Sequence, residues 1–224
     1  MPRIHFHQQL ADLKDRLLAM AALAQQAVES AVEAYINTDL ELCHYVRENE
    51  TAINLAQREV DEMAYDLLAK EQPMAVDLRF ILAVIKINGD LERIGDQAVS
   101  IARRTEELIA QNRPELPADI PRMGTLAARM IRTAVLALLD GDAQIADSVI
   151  AMDDEVDDLN RESQASLVQC IQNSPDSASH ALLAIMVARS LERISDHATN
   201  IATDVIFWIR GADLRHQASL AEAE

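Results

Sequence analysis

One eight-residue string occurs twice, with two positions changed. Leu91-Glu92-Arg93-Ile94-Gly95-Asp96-Gln97-Ala98 aligns with Leu191-Glu192-Arg193-Ile194-Ser195-Asp196-His197-Ala198 at an offset of 100, and Ile101-Ala102 continues onto Ile201-Ala202. A second alignment, at an offset of 103, places Asp39 on Asp142, Glu50 on Asp153, Ile53 on Val156 and Glu59 on Glu162. The three-residue difference falls where a turn is expected, and turns tolerate changes of length. Self-similarity at this spacing means that one structural unit has been used twice.

The unit is helical. Apolar residues recur near a 3.6-residue period along the whole chain. Helices are expected over 6–36, 40–70 and 74–111, then up to 139, from 143 to 172, and over 178–209. Asp39 and Asp142 stand ready to cap the second helix of each unit, Pro73 breaks the chain between helices, and Gly211 suits a C-cap. Three prolines between Asn112 and Pro121 make the best linker. The scarcity of turn residues (5 Gly, 6 Pro) and of aromatics (3%) argues against a many-stranded β fold. The expected fold class is all-α: two tandem three-helix bundles related by a pseudo-twofold axis. The first repeat is placed at 1–112, the linker at 113–121 and the second repeat at 122–212, with a frayed tail over 213–224.

Twenty Lys and Arg face 37 Asp and Glu, a net charge of −17. That balance argues against nucleic acid, whose phosphates need clustered cations, and favours cations or basic protein surfaces as partners. Cys43 and Cys170 have no partner at motif spacing and suit a reducing compartment. There is no secretory leader pattern and no apolar run long enough to span a bilayer, so a cytoplasmic location is expected.

The repeated string carries a carboxylate pair. With Glu92 set at zero on a helical wheel of about 100° per residue, Asp96 falls near 40°. Leu91, Ile94, Ala98 and Ile101 fall between about 180° and 260°. Glu192 and Asp196 stand the same way against their own apolar stripe. Each third helix thus displays Glu-x-x-x-Asp away from its core. Like charges at i, i+4 cost a few tenths of a kcal/mol without a counter-cation, yet the pair recurs. Folding each second helix back on the third, with the turns near Gln72 and Ser174, brings Glu50 to the height of Asp96 and Asp153 to that of Asp196. The second helices add Asp157 beside Asp153 and Asn54 beside Glu50. Such oxygen-rich groups suit Mg, Ca, Mn, Fe or Zn.

At these residues the sequence resembles the PhoU family, bacterial accessory proteins of phosphate-specific transport. The resemblance rests on the two Leu-Glu-Arg-Ile strings, on Gln72-Pro73-Met74-Ala75-Val76-Asp77-Leu78-Arg79 and on Phe207-Trp208-Ile209-Arg210-Gly211. It implies two three-helix bundles and a cytoplasmic, often dimeric, negative regulator of phosphate uptake and of the phosphate-starvation response. The implied partners are the phosphate ABC transporter ATPase and a phosphate-sensing histidine kinase, so that the protein is peripheral to the inner membrane only through them. It implies, too, multinuclear Fe or Zn on paired acidic motifs, with other divalent cations as alternatives. Glu92, Asp96, Glu192 and Asp196 match that motif, and Asp153 and Asp157 match its partner on the preceding helix. Asn54 departs, standing beside Glu50 where an acid is expected; a carboxamide can ligate but brings no charge.

Two other readings follow from the residues. A metal-free acidic scaffold would use the same carboxylates to meet Lys and Arg on a partner. A di-iron carboxylate enzyme would want an inward Glu-x-x-His from each of two helices; Glu41-Leu42-Cys43-His44 is one such string, and Asp213-Leu214-Arg215-His216 has the spacing only in the tail. No glycine-rich phosphate loop or nucleophilic triad stands out, so no enzyme is expected. His197 reads as a surface residue or a neighbour of the acidic pair. Met20, Met63, Met130 and Met186 read as core, and Trp208 as core or contact residue.

Overall fold

The computed structural model describes residues 2–111 and 116–211. Among these residues six helices follow one another: α1 (Pro2–Asn37), α2 (Leu40–Glu71), α3 (Val76–Ala110), α4 (Ile120–Asp140), α5 (Ala143–Asn173) and α6 (Ala178–Arg210), with a 3-10 turn, Pro175–Ser177, before α6. The expected tail 213–224 lies outside the described residues, as does the start of the linker.

Local chemistry sets the ends. Asp39 accepts hydrogen bonds from the amides of Glu41 and Leu42 at 2.9 and 3.1 Å. Asp142 does the same for Gln144 and Ile145 at 2.7 and 3.4 Å. Each aspartate satisfies amides that a helix start leaves open. Gly141 and Gly211 close α4 and α6 in the left-handed region, where the absence of a Cβ removes the steric penalty. Pro121 falls inside the first turn of α4, where its missing N–H is no loss. The helix therefore begins at Ile120, within the segment read as linker.

In each repeat the three helices pack on one another. Between repeats α3 packs against α6 and α1 against α4, while α2 and α5 touch only helices of their own repeat. Hydrogen bonds and ion pairs give the α3–α6 register: Arg79 Nε donates to Trp208 O, Asp90 meets His197, and Ser179 and His180 meet Gln111. The two helices run antiparallel. One continuous core collects buried residues from all six helices; Leu167, Ala181 and Ala184 form a small separate cluster between α5 and α6.

Met20 and Met130 are fully buried, but Met186 is 40% exposed. Trp208 seals a corner against Phe80, ring centroids 5.0 Å apart. The Cys43 thiol, buried, is pushed up to about 11 by burial and then by Glu106 and Asp39, so it stays protonated and unreactive. No described helix is long and apolar enough to cross a membrane.

Candidate functional site

The two grooves between a second and a third helix hold the acidic residues. In the second repeat α5 supplies Asp153 and Asp157 and α6 supplies Glu192 and Asp196. Asp157 and Asp196 act across the groove on the other two carboxylates. Asp153 is pushed up to about 6, first by burial, then by Asp196, Asp157 and Asp154. Glu192 is raised by burial, then by Asp196 and Asp157. Asp196 is raised by burial and by Asp157, with His197 and Arg193 opposing. Both effects disfavour the charged form, since a buried carboxylate loses hydration and like charges repel. The Thr199 hydroxyl acts against the rise at Asp153, yet neither Asp153 Oδ1 nor Thr199 Oγ1, both buried, completes a hydrogen bond of good geometry. A buried carboxylate oxygen without a donor is costly.

The first repeat is built alike and charged less. Glu92 is raised by burial and by Asp96, and more weakly by Glu50; Arg93 and His197 oppose. The structure thus brings Glu50, Glu92 and Asp96 together across α2 and α3, while Asn54 is exposed. Gly95 lets α2 approach: a Cβ there would stand 2.9 Å from Ile53 Cδ1. Asn88 ties the helices further along, its amide donating to Gln57 O and Asp61 Oδ1, both at 2.9 Å. The turn centre lies at residues 73–74, not at Gln72, because Gln72 and Ala75 both take positive φ between the helices. Position 50 is therefore level with about residue 97, which keeps Glu50 at the height of Asp96.

Among the described residues no three His, Cys, Asp or Glu converge into a metal cage. The carboxylates stand close enough to repel, not to chelate, in these conformers. What fits a cation is the donor set of the second repeat: four hard oxygen ligands, one of them with a buried, unpartnered oxygen. The first repeat has one acid fewer. Glu41 and His44 of the Glu-x-x-His string both face outward, opposite to what a di-iron bundle needs.

His197 is not a surface residue. Its Nδ1 lies 2.9 Å from Asp90 Oδ1, with the two side chains 17% and 8% exposed. The pair crosses from α6 to α3 and also lies beside Glu92, so it joins the two repeats next to both acidic grooves. Sequence reading missed Asp90. Its equivalent in the other copy is Ser190, so the repeat gave no signal.

Comparison with known proteins gives the family. The PhoU domain family model matches residues 17–105 and 120–205, one stretch in each repeat. The chain is 39% identical over 212 residues to the "Phosphate-specific transport system accessory protein PhoU homolog" of Pseudomonas aeruginosa, covering 94% of this chain and 88% of that protein. It is 30% identical over 216 residues to the corresponding "homolog 1" of Thermotoga maritima, covering 95% and 92%. Among solved structures, PhoU from Pseudomonas aeruginosa superposes with a TM-score of 0.89 at 38% identity, over 92% of this chain and all of that one. PhoU from Streptococcus pneumoniae gives 0.87 at 23% identity, over 93% and 99%, a likeness of fold.

Proposed function

Because the chain belongs to the PhoU family, we propose that it is a cytoplasmic negative regulator that couples the phosphate ABC transporter to a phosphate-sensing histidine kinase. The coarser role follows from the family: an accessory, regulatory protein of phosphate transport and not an enzyme. The observation that carries the reading is the family match in both repeats, over the same helices that hold the acidic grooves. The finer reading adds contact with the transporter's ATPase and with the kinase, and a homodimeric state.

The acidic grooves are read as metal sites. Asp153, Asp157, Glu192 and Asp196 would hold an Fe or Zn centre, or another divalent cation, in the second repeat; Glu50, Glu92 and Asp96, with Asn54, would hold one in the first. A bound cation would supply the positive charge that these carboxylates lack. The alternative, a metal-free surface docking on basic patches, uses the same residues.

Two measurements test this. Deleting the gene should switch on phosphate-starvation genes in phosphate-rich medium; silence of those genes would sink the regulatory reading. Elemental analysis of protein purified without chelator should find metal that falls by more than half in Glu192→Gln/Asp196→Asn. No metal in either protein after reconstitution would move the acidic faces to the docking alternative.

A further inference from the structure

The chain carries a net charge of −17, yet the exposed seam where α3 lies beside α6 is lined by cations. On the wheel used above, α6 meets α3 near 150° and α2 meets α3 near 310°; the outward sector runs from about 0° to 100°. The glutamates and aspartates of the two grooves occupy its outer half. The inner half, toward the seam, holds Arg93 on α3 and Arg189 and Arg193 on α6, all three exposed, together with exposed Glu107, which pairs with Arg104. Lys86 adds a fourth charge, 3.5 Å from Asp204, and Arg93 lies 3.5 Å from Asp90. Arg189 and Arg193 make no ion pair among the described residues and lie beside Glu192 of the neighbouring acidic groove.

The same seam bears exposed apolar side chains at both ends. Leu82 is 38% exposed at one end; Leu182 and Met186 are 54% and 40% exposed at the other. Leu82 and Leu182 are equivalent positions of the two repeats. The antiparallel register places them about 24 residues apart along the seam, roughly 36 Å at 1.5 Å per residue.

We propose that the α3–α6 seam is a docking surface for an acidic amphipathic helix of a partner protein. Leu82, Leu182 and Met186 would take its apolar residues, and Arg93, Arg189 and Arg193 its carboxylates. The seam matches a helix of about seven turns in length and is opposite in charge to the rest of the chain, so it selects an acidic partner and excludes a basic one. A second copy of this chain is the weaker fit. Its seam would bring arginine against arginine. The proposal rests on the accessory reading only for who the partner is.

The test is fluorescence anisotropy of the full chain with a labelled synthetic helix of about 24 residues, leucines on one stripe and glutamates beside it. The control is the same peptide with lysines for glutamates. The acidic peptide is expected to bind, more weakly as salt rises, and at least tenfold more weakly to Arg189→Glu/Arg193→Glu. Leu182→Ser/Met186→Ser, which leaves every charge in place, should weaken it at least threefold. Arg58→Glu/Arg129→Glu, the same charge change off the seam, should leave it alone. No binding of the acidic peptide, or binding indifferent to the seam variants, overturns the proposal. So does sedimentation as a dimer that the seam variants dissociate, since the occupant would then be a second copy. Capture of the transporter's ATPase subunit separates the two readings. ATPase capture without seam-dependent peptide binding leaves the adaptor reading standing and removes the seam. Seam-dependent peptide binding without ATPase capture does the reverse.

Discussion

Asp153 is more comfortable protonated than ionised, and that has a measurable sign. Its pKa rises from the ordinary 3.8 to about 6 on burial beside Asp196 and Asp157. The folded protein therefore holds this proton more tightly than the unfolded chain. The associated stability is complete below about pH 4 and is lost as pH rises through about 6. Glu192 and Asp196 are raised in the same direction. Metal-free protein should melt higher at pH 5 than at pH 7, and Asp153→Asn should remove most of the part due to this groove. Because the group is only half-buried, about 1–2 kcal/mol is the reasonable size after allowing for solvent screening, or roughly 3–6 °C in a chain of this length. Calorimetry at the two pH values checks it; a variant whose melting difference matches the wild type would show that Asp153 is not under this strain. The acidic pairs themselves were legible in the sequence, because a helix fixes the angle between positions i and i+4. The Asp90–His197 contact was not, because a helical wheel says nothing of how two repeats pack. The exposure of Met186 escaped for the same reason: it lies where α6 turns from its own bundle toward the seam.

At the scale of the helices, two glycines decide how closely neighbours approach. A Cβ on Gly124 of α4 would stand 2.5 and 2.7 Å from the two methyls of Val32 on α1. Those methyls branch next to the backbone, so relief needs a change of χ1 at Val32 and not the bending of a flexible chain end. At Gly95 the atom met is Ile53 Cδ1, the far end of a flexible side chain, and the cost is smaller. The second copy uses Ser195 there, with the shorter Val156 at the position equivalent to Ile53, which is how one helix pair carries a side chain where the other carries none. Gly124→Ala gains about 1 kcal/mol of helix preference but meets an overlap costing typically 1–3 kcal/mol, so it should destabilise by about 1 kcal/mol. Val32→Ala on that background should recover part of the loss, as coupled neighbours do. Urea unfolding of the four proteins measures the cycle; strictly additive effects would mean that α1 and α4 are not held apart by this contact. Helix order and extent were legible from periodicity and the two aspartate caps. The turn after α2 was placed early because proline marks where a helix cannot continue, while the backbone of Gln72 and Ala75 decides where the chain reverses. The start of α4 was placed late because Pro121 reads as a breaker until it is seen in a first turn.

The whole molecule joins its two copies more firmly than a duplicated sequence suggests. The −17 charge describes the average surface and hides the cationic seam, because a sum over residues carries no position. The two alignments show that there are two units but not that they share a core. In the structure α1, α3, α4 and α6 bury their apolar faces in one cluster, with Lys86–Asp204 and Asp90–His197 bridging from α3 to α6. A repeat that must cover its neighbour's apolar face cannot bury enough surface alone. A fragment ending at residue 111 would uncover the side of α3 that packs against α6. Its Asp90 would lose His197 and face water, with only Arg93 nearby. The full chain should therefore unfold in one transition, with calorimetric and van't Hoff enthalpies in agreement. The fragment should keep much of its helix signal but melt without a cooperative step. If the full chain instead unfolded in two separated steps, and the fragment melted as sharply as one of them, the repeats would be independent domains. The buried pairs across α3 and α6 would then be contacts between finished units, not part of what makes each unit fold.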